Sequence, residues 1–308
     1  MYSLLYNIFF ALKRRDKSKN NKVISSLCKK YYNFFDAYLN IITRKFFEKF
    51  PSKKNRLNKK ARDKKIIVSL TSFPARIDKV WITVETLLRQ SIKPDEIILW
   101  LADTQFDGFD SLPKKLKDLT KCGLTIKFCD DLRSHKKYYY TFQQYPNDLV
   151  ILADDDIFYP KDTIKQLLKM HKKYPNDIIS ITSQSVPENI TELPSVWESL
   201  KEQVISSRKT QPFTGQGAMF QPKQYKDVLY NKELIERLIP FADDLWIYLI
   251  GYLSGVNVTT IHKYRCFNNT IWGTGESSLF AKNGKNGGNM NDVQWKNLVE
   301  YFKEELNI

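Results

Sequence analysis

Residues 149–160 read LVILADDDIFYP: four apolar residues, an alanine, three consecutive aspartates, then apolar and aromatic residues up to Pro160. Carboxylates that close repel one another and resist burial. One reading is a solvated turn after a strand. The other is a cation held where a buried strand ends, since paired carboxylates offer the hard oxygen ligands that Mg2+ or Mn2+ prefer. If strand conformation continues past Ala153, Asp154 and Asp156 face one way and Asp155 the other.

The neighbouring segments decide what kind of strand this is. Upstream, KKIIVSLTSFP (64–74) reads as a buried strand ending at Pro74, followed by an amphipathic helix over 78–90. A second strand (PDEIILWLAD, 94–103), a helix near 113–121, a strand LTIKFCDD (124–131) and a helix over 136–146 lead into the aspartate strand. Downstream come a helix over 161–175 and a strand over 176–185. Strands alternating with helical stretches predict βαβ units and a mostly parallel α/β sheet. Such sheets bind ligands at the C-terminal ends of their strands. By that rule Thr71 to Arg76, Asp103, Asp130, Asp131 and Asp154 to Asp156 share one edge.

Charge is unevenly placed. The chain of 308 residues carries a net charge of +15, but residues 1–65 hold 19 Lys/Arg against 4 Asp/Glu, while the remaining 243 hold 30 of each. A basic arm therefore precedes a near-neutral body. A nucleic-acid-binding protein is one alternative for such a chain, yet no basic stripe continues beyond the arm. The four cysteines form no CxxC pair, which excludes a zinc ribbon and a disulfide framework and fits a reducing compartment. The apolar run in MYSLLYNIFFALKRR is too short to span a bilayer and lacks signal-peptide features. Residues 21–50 show helical apolar spacing with basic residues outside the stripe, so the helix packs either on an anionic membrane surface or on its own domain or a protein partner. Residues 51–65 read as a cationic linker, with helix as the alternative. The expected division is an arm over 1–62 and a catalytic domain over 63–308, with halves 63–183 and 184–308.

No GxGxxG follows the first strand and no GxxxxGK[ST] occurs, so dinucleotide-binding and P-loop readings fail. No serine or cysteine sits in a nucleophile motif. From about residue 66 to 300 the chain instead resembles GT-A-fold glycosyltransferases of the bacterial cell-surface polysaccharide type. ADDDIFYP resembles their DXD motif, which implies that Asp154 and Asp156 bind the divalent ion on the diphosphate of a nucleotide-sugar and that Asp155 belongs to the donor site. TSFPARI resembles the loop that cradles the nucleoside, which assigns Thr71, Pro74 and Arg76 to the donor. Asp103 matches a position that holds the base, and SHKKYYYTFQQYP offers Lys136 and Lys137 to the diphosphate.

In the second half, ADDLWIYLIGYLSGV places Asp243 and Asp244 before an apolar helix. This resembles the acidic pair of inverting GT-A enzymes, usually Glu-Asp, whose second acid is the general base, here Asp244. Helix capping by aspartate is the plain alternative. PFTGQGAMFQP resembles the stretch beneath the donor sugar, which implicates Gly215, Gln216 and Gly217, with a simple turn as the alternative. His262 is a candidate third metal ligand. Trp272, within NNTIWGTGESS, is the best candidate for stacking on a sugar, and NGGNMNDVQW (286–295) reads as a flexible loop.

The expectation is a metal-dependent, inverting glycosyltransferase using Mn2+ or Mg2+ and a nucleotide-diphosphate sugar. Its acceptor is a glycan or lipid-linked glycan, reached from the cytoplasmic face of a membrane through residues 1–62, without nucleic acid as partner. A sugar nucleotidylyltransferase is the nearest alternative, although TSFPARI lacks the glycines of that family's first loop. A non-catalytic basic membrane- or nucleic-acid-binding protein is the other.

Overall fold

The structure, a computed structural model, describes residues 22–200, 202–261, 269–275 and 289–308. Helix α1 (Lys22–Ala37) runs through a π-helical turn over Tyr38–Thr43 into α2 (Arg44–Lys49). Strand β1 (Ile66–Thr71) follows, then α3 (Val80–Leu88), β2 (Glu96–Ala102), α4 (Lys114–Asp118) and β3 (Leu124–Cys129). Next come α5 (Lys136–Gln144), β4 (Leu149–Ala153), α6 (Thr163–His171) and β5 (Ile178–Ser180). Three short strands, β6 (Ser183–Ser185), β7 (Glu198–Ser199) and β8 (Thr210–Pro212), form a small antiparallel sheet. The chain continues through β9 (Gln216–Phe220), α7 (Lys232–Leu238), α8 (Asp243–Leu253) and β10 (Val258–Thr260) to α9 (Met290–Tyr301) and α10 (Lys303–Leu306).

The main sheet has seven strands in the order β10-β5-β9-β4-β1-β2-β3. All neighbours pair in parallel except β9, which runs antiparallel to both β4 and β5. This is the mostly parallel, helix-flanked α/β sheet expected from the sequence. Alternation along the strands fills both faces, as a sheet covered on two sides requires. Ile66, Val68 and Leu70 of β1 join the core beneath α3, while Ile67 joins the opposite core with Trp246 and Ile250 of α8.

Two segments differ from the sequence reading. The strand expected over 176–185 is two strands in different sheets. Ile181 N–H still reaches the Gly217 carbonyl at 3.1 Å, but Ser180 Oγ donates to the Thr182 carbonyl at 2.6 Å. There the chain turns out of the main sheet, as its apolar run gives way to Thr-Ser-Gln-Ser. Residues 290–295, read as part of a loop, are the first turns of α9. Trp295, Leu298 and Phe302 lie on one face at helical spacing and are buried against α8 and its neighbours.

The arm is joined to the body. Phe35, Leu39 and Phe47 are buried in the same core as β1 and α3, while Phe34, Ile42 and Phe46 on other faces are exposed. Residues 51–65 are irregular rather than helical. Arg56 N–H donates to the Cys122 carbonyl at 2.9 Å and Asn58 N–H to that of Pro94 at 2.8 Å, and Arg62 pairs with Asp95 at 3.0 Å. These side-chain and backbone partners offer this polar stretch more than helical bonds would. Because Phe35 is core, Phe35→Ala costs about 3–5 kcal/mol of folding stability, to be read from urea unfolding. A loss below about 1 kcal/mol, as at ordinary surface sites, would mean that the arm packs independently.

Candidate active site

Every strand from β1 to β4 ends at the same edge, and the turn after β4 presents Asp154, Asp155 and Asp156 there. Strand conformation stops at Ala153 and the chain turns at Asp155 and Asp156, so the alternation expected of the three aspartates does not apply. Arg76, in the turn after β1, bridges two of them: its Nη1 lies 2.7 Å from Asp155 and 3.0 Å from Asp156. Asp155 also accepts from Ser72 Oγ at 2.5 Å, and Arg76 Nη2 donates to the Thr274 carbonyl at 3.0 Å. Arg76, Asp155 and Asp156 are all buried. Burial pushes the Asp156 carboxyl up to about 7 although Arg76 opposes it, with Asp154 and Asp155 adding repulsion.

Asp154 is the open member of the three, its side chain 39% exposed. Its backbone N–H is shared between the Gly215 carbonyl at 3.0 Å and the Tyr159 hydroxyl at 2.8 Å, and that hydroxyl donates to the Gly215 carbonyl. Its carboxylate lies against Gly215, where a Cβ would sit 1.9–2.0 Å from Cγ and both oxygens. Only glycine admits Asp154 here. Gly217 has another reason to be glycine: its φ is +97°, and a Cβ would meet nothing nearer than 3.4 Å. Gln216 lies between them, half-buried, and opens β9.

Lys137 joins the two halves of the chain. From α5, its buried ammonium lies 2.8 Å from Asp154 and 3.0 Å from Asp243. Burial disfavours its charge, but Asp154 and Asp243 more than offset this and hold it protonated. The second residue of the pair, Asp244, accepts at Oδ1 from the Thr214 backbone N–H at 3.0 Å and from the Thr214 hydroxyl. Burial, then the adjacent Asp243 carboxylate, pushes Asp244 up to about 7 against the pull of Lys137. For Asp243, burial acts upward but the Lys137 ammonium prevails, and its pKa is lowered. Two adjacent carboxylates with opposed shifts are the arrangement that separates a proton acceptor from a fixed anion.

The remaining expected residues are more dispersed. Lys136 is buried and turned to Asp131, at 2.7 Å, away from Lys137's partners. Thr71 Oγ1 donates to the Trp100 carbonyl at 2.8 Å. Pro74 and Asp103 are exposed at the ends of the first and second strands. His262 lies outside the described residues. Trp272 sits on the segment 269–275, where Ile271 N–H donates to the Asp156 carbonyl at 2.8 Å. Its indole N–H reaches Asp36 of α1 at 2.6 Å and its ring is 47% exposed.

Sequence reasoning missed Thr214 and Tyr159, and had Ser72 only as part of the Thr71 to Arg76 loop; all three position the carboxylates. Thr214 and Tyr159 lie inside the two stretches singled out, next to Gly215 and three residues after Asp156, so proximity in sequence was the available signal. Asn40 was missed as well. It sits in the π-helical turn, donating to the Thr270 carbonyl at 3.1 Å and accepting from Trp272 N–H at 2.7 Å, so the arm clamps the segment that backs the aspartate turn.

The donor set suits a hard divalent cation. Asp155 and Asp156 share Arg76, Asp154 and Asp243 share Lys137, and Asp244 follows Asp243, so every candidate ligating atom here is a carboxylate oxygen. Among the described residues, no group of three or more His, Cys, Asp or Glu side chains is placed so that it could hold a metal ion. Asp154, whose side chain is open, and Asp156, paired with Arg76, carry oxygen atoms of the kind Mg2+ takes as ligands beside phosphates.

No family model matches the chain, and no curated protein matches it. Among solved structures, the chain is similar to the mannosyltransferase PcManGT from Pyrobaculum calidifontis, in complex with GDP-Man and Mn2+. The identity is 16%, the TM-score 0.43, and the match covers 96% of this chain and 81% of that one. It is also similar to a CMP:2-keto-3-deoxy-manno-octonic acid synthetase complexed with CTP, at 10% identity and TM-score 0.39, over 64% of this chain and 89% of that one. A 4-diphosphocytidyl-2C-methyl-D-erythritol synthase matches at 8% identity and TM-score 0.36, over 55% of this chain and 78% of that one. At these identities the likeness concerns the fold alone.

Proposed function

We propose that the protein is a glycosyltransferase that moves a sugar from a nucleotide-diphosphate sugar to a hydroxyl of a glycan or lipid-linked glycan, with inversion at the anomeric carbon. The observation that carries this reading is Lys137 held between Asp154 and Asp243. It brings the carboxylates at the sheet edge and the acidic pair of α8 into one site. A diphosphate donor and an acceptor hydroxyl need those two kinds of carboxylate within one reach.

In this reading Asp154 and Asp156 hold Mn2+ or Mg2+, which when bound offsets the charge of the diphosphate. Arg76 and Ser72 fix Asp155, and through it the turn. Gly215 and Gly217 bring backbone close beneath the sugar, and Thr71, Pro74 and Asp103 border the nucleoside. Thr214 holds Oδ1 of Asp244, and Oδ2 meets the acceptor hydroxyl. That hydroxyl oxygen attacks the anomeric carbon, its proton passes to Asp244, and the bond to the diphosphate oxygen breaks with release of the nucleoside diphosphate. Asp243, kept ionised by Lys137, stays an anion. The acceptor lies at the inner face of a membrane, to which the basic arm brings the enzyme. No helix among the described residues is long and apolar enough to cross one.

The test is nucleoside-diphosphate release across a panel of sugar donors, with added Mn2+ or Mg2+ and with chelator. Asp154→Ala and Asp156→Ala each reduce cation-dependent release by about 10²-fold or more, the scale of losing a main electrostatic contact to the developing charge. Full cation-dependent turnover in both variants would remove the metal assignment.

A further inference from the structure

Beyond the sheet edge that carries the aspartates, the basic residues of the arm build a second site. A groove of about 720 Å³ is lined by Lys49, Lys53, Lys54, Arg56, Arg89 and Lys93, together with Phe50 and Leu57. Arg89 follows α3 and Lys93 precedes β2, so the groove lies where strands begin, at the other end of the sheet from the aspartates. Among the described residues no carboxylate lines it.

Two observations mark the groove as cationic with little compensating charge. Arg56 Nε is buried with no hydrogen-bond partner among the described residues, which costs stability, and no carboxylate offsets the guanidinium's charge there. Of the six cations, Arg89 is paired, with Glu85 at 2.9 Å; the other five form no ion pair among the described residues. The Lys93 ammonium donates to the Leu88 carbonyl at 2.8 Å, and its charge is disfavoured first by burial and then by Arg56, Lys161 and Arg89.

An apolar ridge adjoins the groove. Ile41, Ile42, Phe46 and Phe50 are 41%, 50%, 48% and 53% exposed. They stand at helical spacing along the π-helical turn and α2, and the Phe46 and Phe50 rings are 5.2 Å apart. Phe50 belongs to both ridge and groove. A soluble phosphate or a nucleic acid would satisfy the cations and leave the ridge in water. A bilayer surface satisfies both, since its anionic headgroups meet Lys and Arg while aromatic and aliphatic side chains enter the acyl boundary.

We propose that the groove binds the phosphates of anionic phospholipids while Ile42, Phe46 and Phe50 enter the bilayer, so that this corner is the membrane-docking surface. The proposal rests on the membrane part of the functional reading and not on sugar transfer. Its readout is partition, so its failure and the failure of the transferase assignment are separate results.

The experiment is co-sedimentation of the full chain with vesicles of phosphatidylcholine alone and of phosphatidylcholine mixed with phosphatidylglycerol. Binding is expected only to the mixed vesicles. Arg56→Gln with Lys93→Gln lowers the partition coefficient by roughly thirtyfold, from about one kcal/mol per cation. Lys53→Gln with Lys54→Gln, both at exposed positions, gives a loss of the same order should the first pair fail to fold. Phe46→Ser with Phe50→Ser weakens binding too. Lys172→Gln with Lys173→Gln, outside the groove, leaves it unchanged. Equal binding to both vesicle types, or an equal loss in the Lys172/Lys173 control, would overturn the proposal. So would an affinity for inorganic phosphate or duplex DNA without vesicle binding.

Discussion

Asp244→Asn is expected to lower sugar transfer by about 10²–10⁴-fold, the usual contribution of a positioned general base, while donor affinity is retained. The asparagine keeps an oxygen for the Thr214 N–H and hydroxyl, so the local geometry survives, but it takes no proton from the acceptor. The pH profile carries the same claim. Asp244 works as a base only when ionised, and its carboxyl is pushed up to about 7 by burial and by Asp243. Transfer therefore rises with pH through about 7 and levels off above it. A helix-capping aspartate would leave kcat unchanged on conversion to asparagine, since asparagine caps equally well. Steady-state kinetics of both forms from acid to mildly alkaline pH decide between them.

Gly215→Ala is expected to lower the affinity for Mn2+ in the presence of a nucleoside diphosphate by about 10–100-fold, the range seen when the surroundings of a ligand are disturbed. The new methyl would stand 1.9–2.0 Å from the Asp154 carboxylate. The two backbones are tied by the bond from Asp154 N–H to the Gly215 carbonyl at 3.0 Å, so the side chain has to swing and its contact with Lys137 breaks. Overpacking of this kind also costs about 1–3 kcal/mol of stability. Gly217→Ala separates the two effects. It strains a backbone at φ +97° without touching Asp154, and is expected to reduce stability alone. Calorimetric titration alongside thermal melts reads both quantities. Equal cation affinity in Gly215→Ala and wild type would mean that Asp154 is not where the ion sits.

The main sheet was legible because its central strands are apolar on both faces, and Ile66 to Leu70 and Leu149 to Leu152 cannot be read otherwise. What escaped depended on distant partners. The break comes just after Ile181 because the last main-sheet bond there is to Gly217, 36 positions on, and the residues that follow pair with β8 instead. Helix α9 was hidden because the glycines and asparagines before Met290 mask the spacing of Trp295, Leu298 and Phe302. In the arm one apolar pattern serves two faces: Phe35 and Leu39 are core while Phe34 and Ile42 are open to solvent, and spacing alone does not divide them.

The site shows the same limit. The strand-tip aspartates were legible from the rule that parallel sheets bind ligands at the ends of their strands. The individual bonds were not, because they depend on how helices and turns are rotated once packed. Lys136 and Lys137 look equivalent in sequence, yet one turns to Asp131 and the other bridges Asp154 and Asp243. Arg76 was placed beside the nucleoside by resemblance, and its guanidinium lies on Asp155 and Asp156.

The measurement that bears most directly on the central claim is identification of the products formed from a nucleotide-diphosphate sugar and a glycan acceptor in the presence of Mn2+. The account predicts free nucleoside diphosphate and a new glycoside of inverted anomeric configuration, both absent with Asp244→Asn. Formation instead of a nucleotide-sugar and pyrophosphate from a nucleoside triphosphate and a sugar phosphate would contradict it.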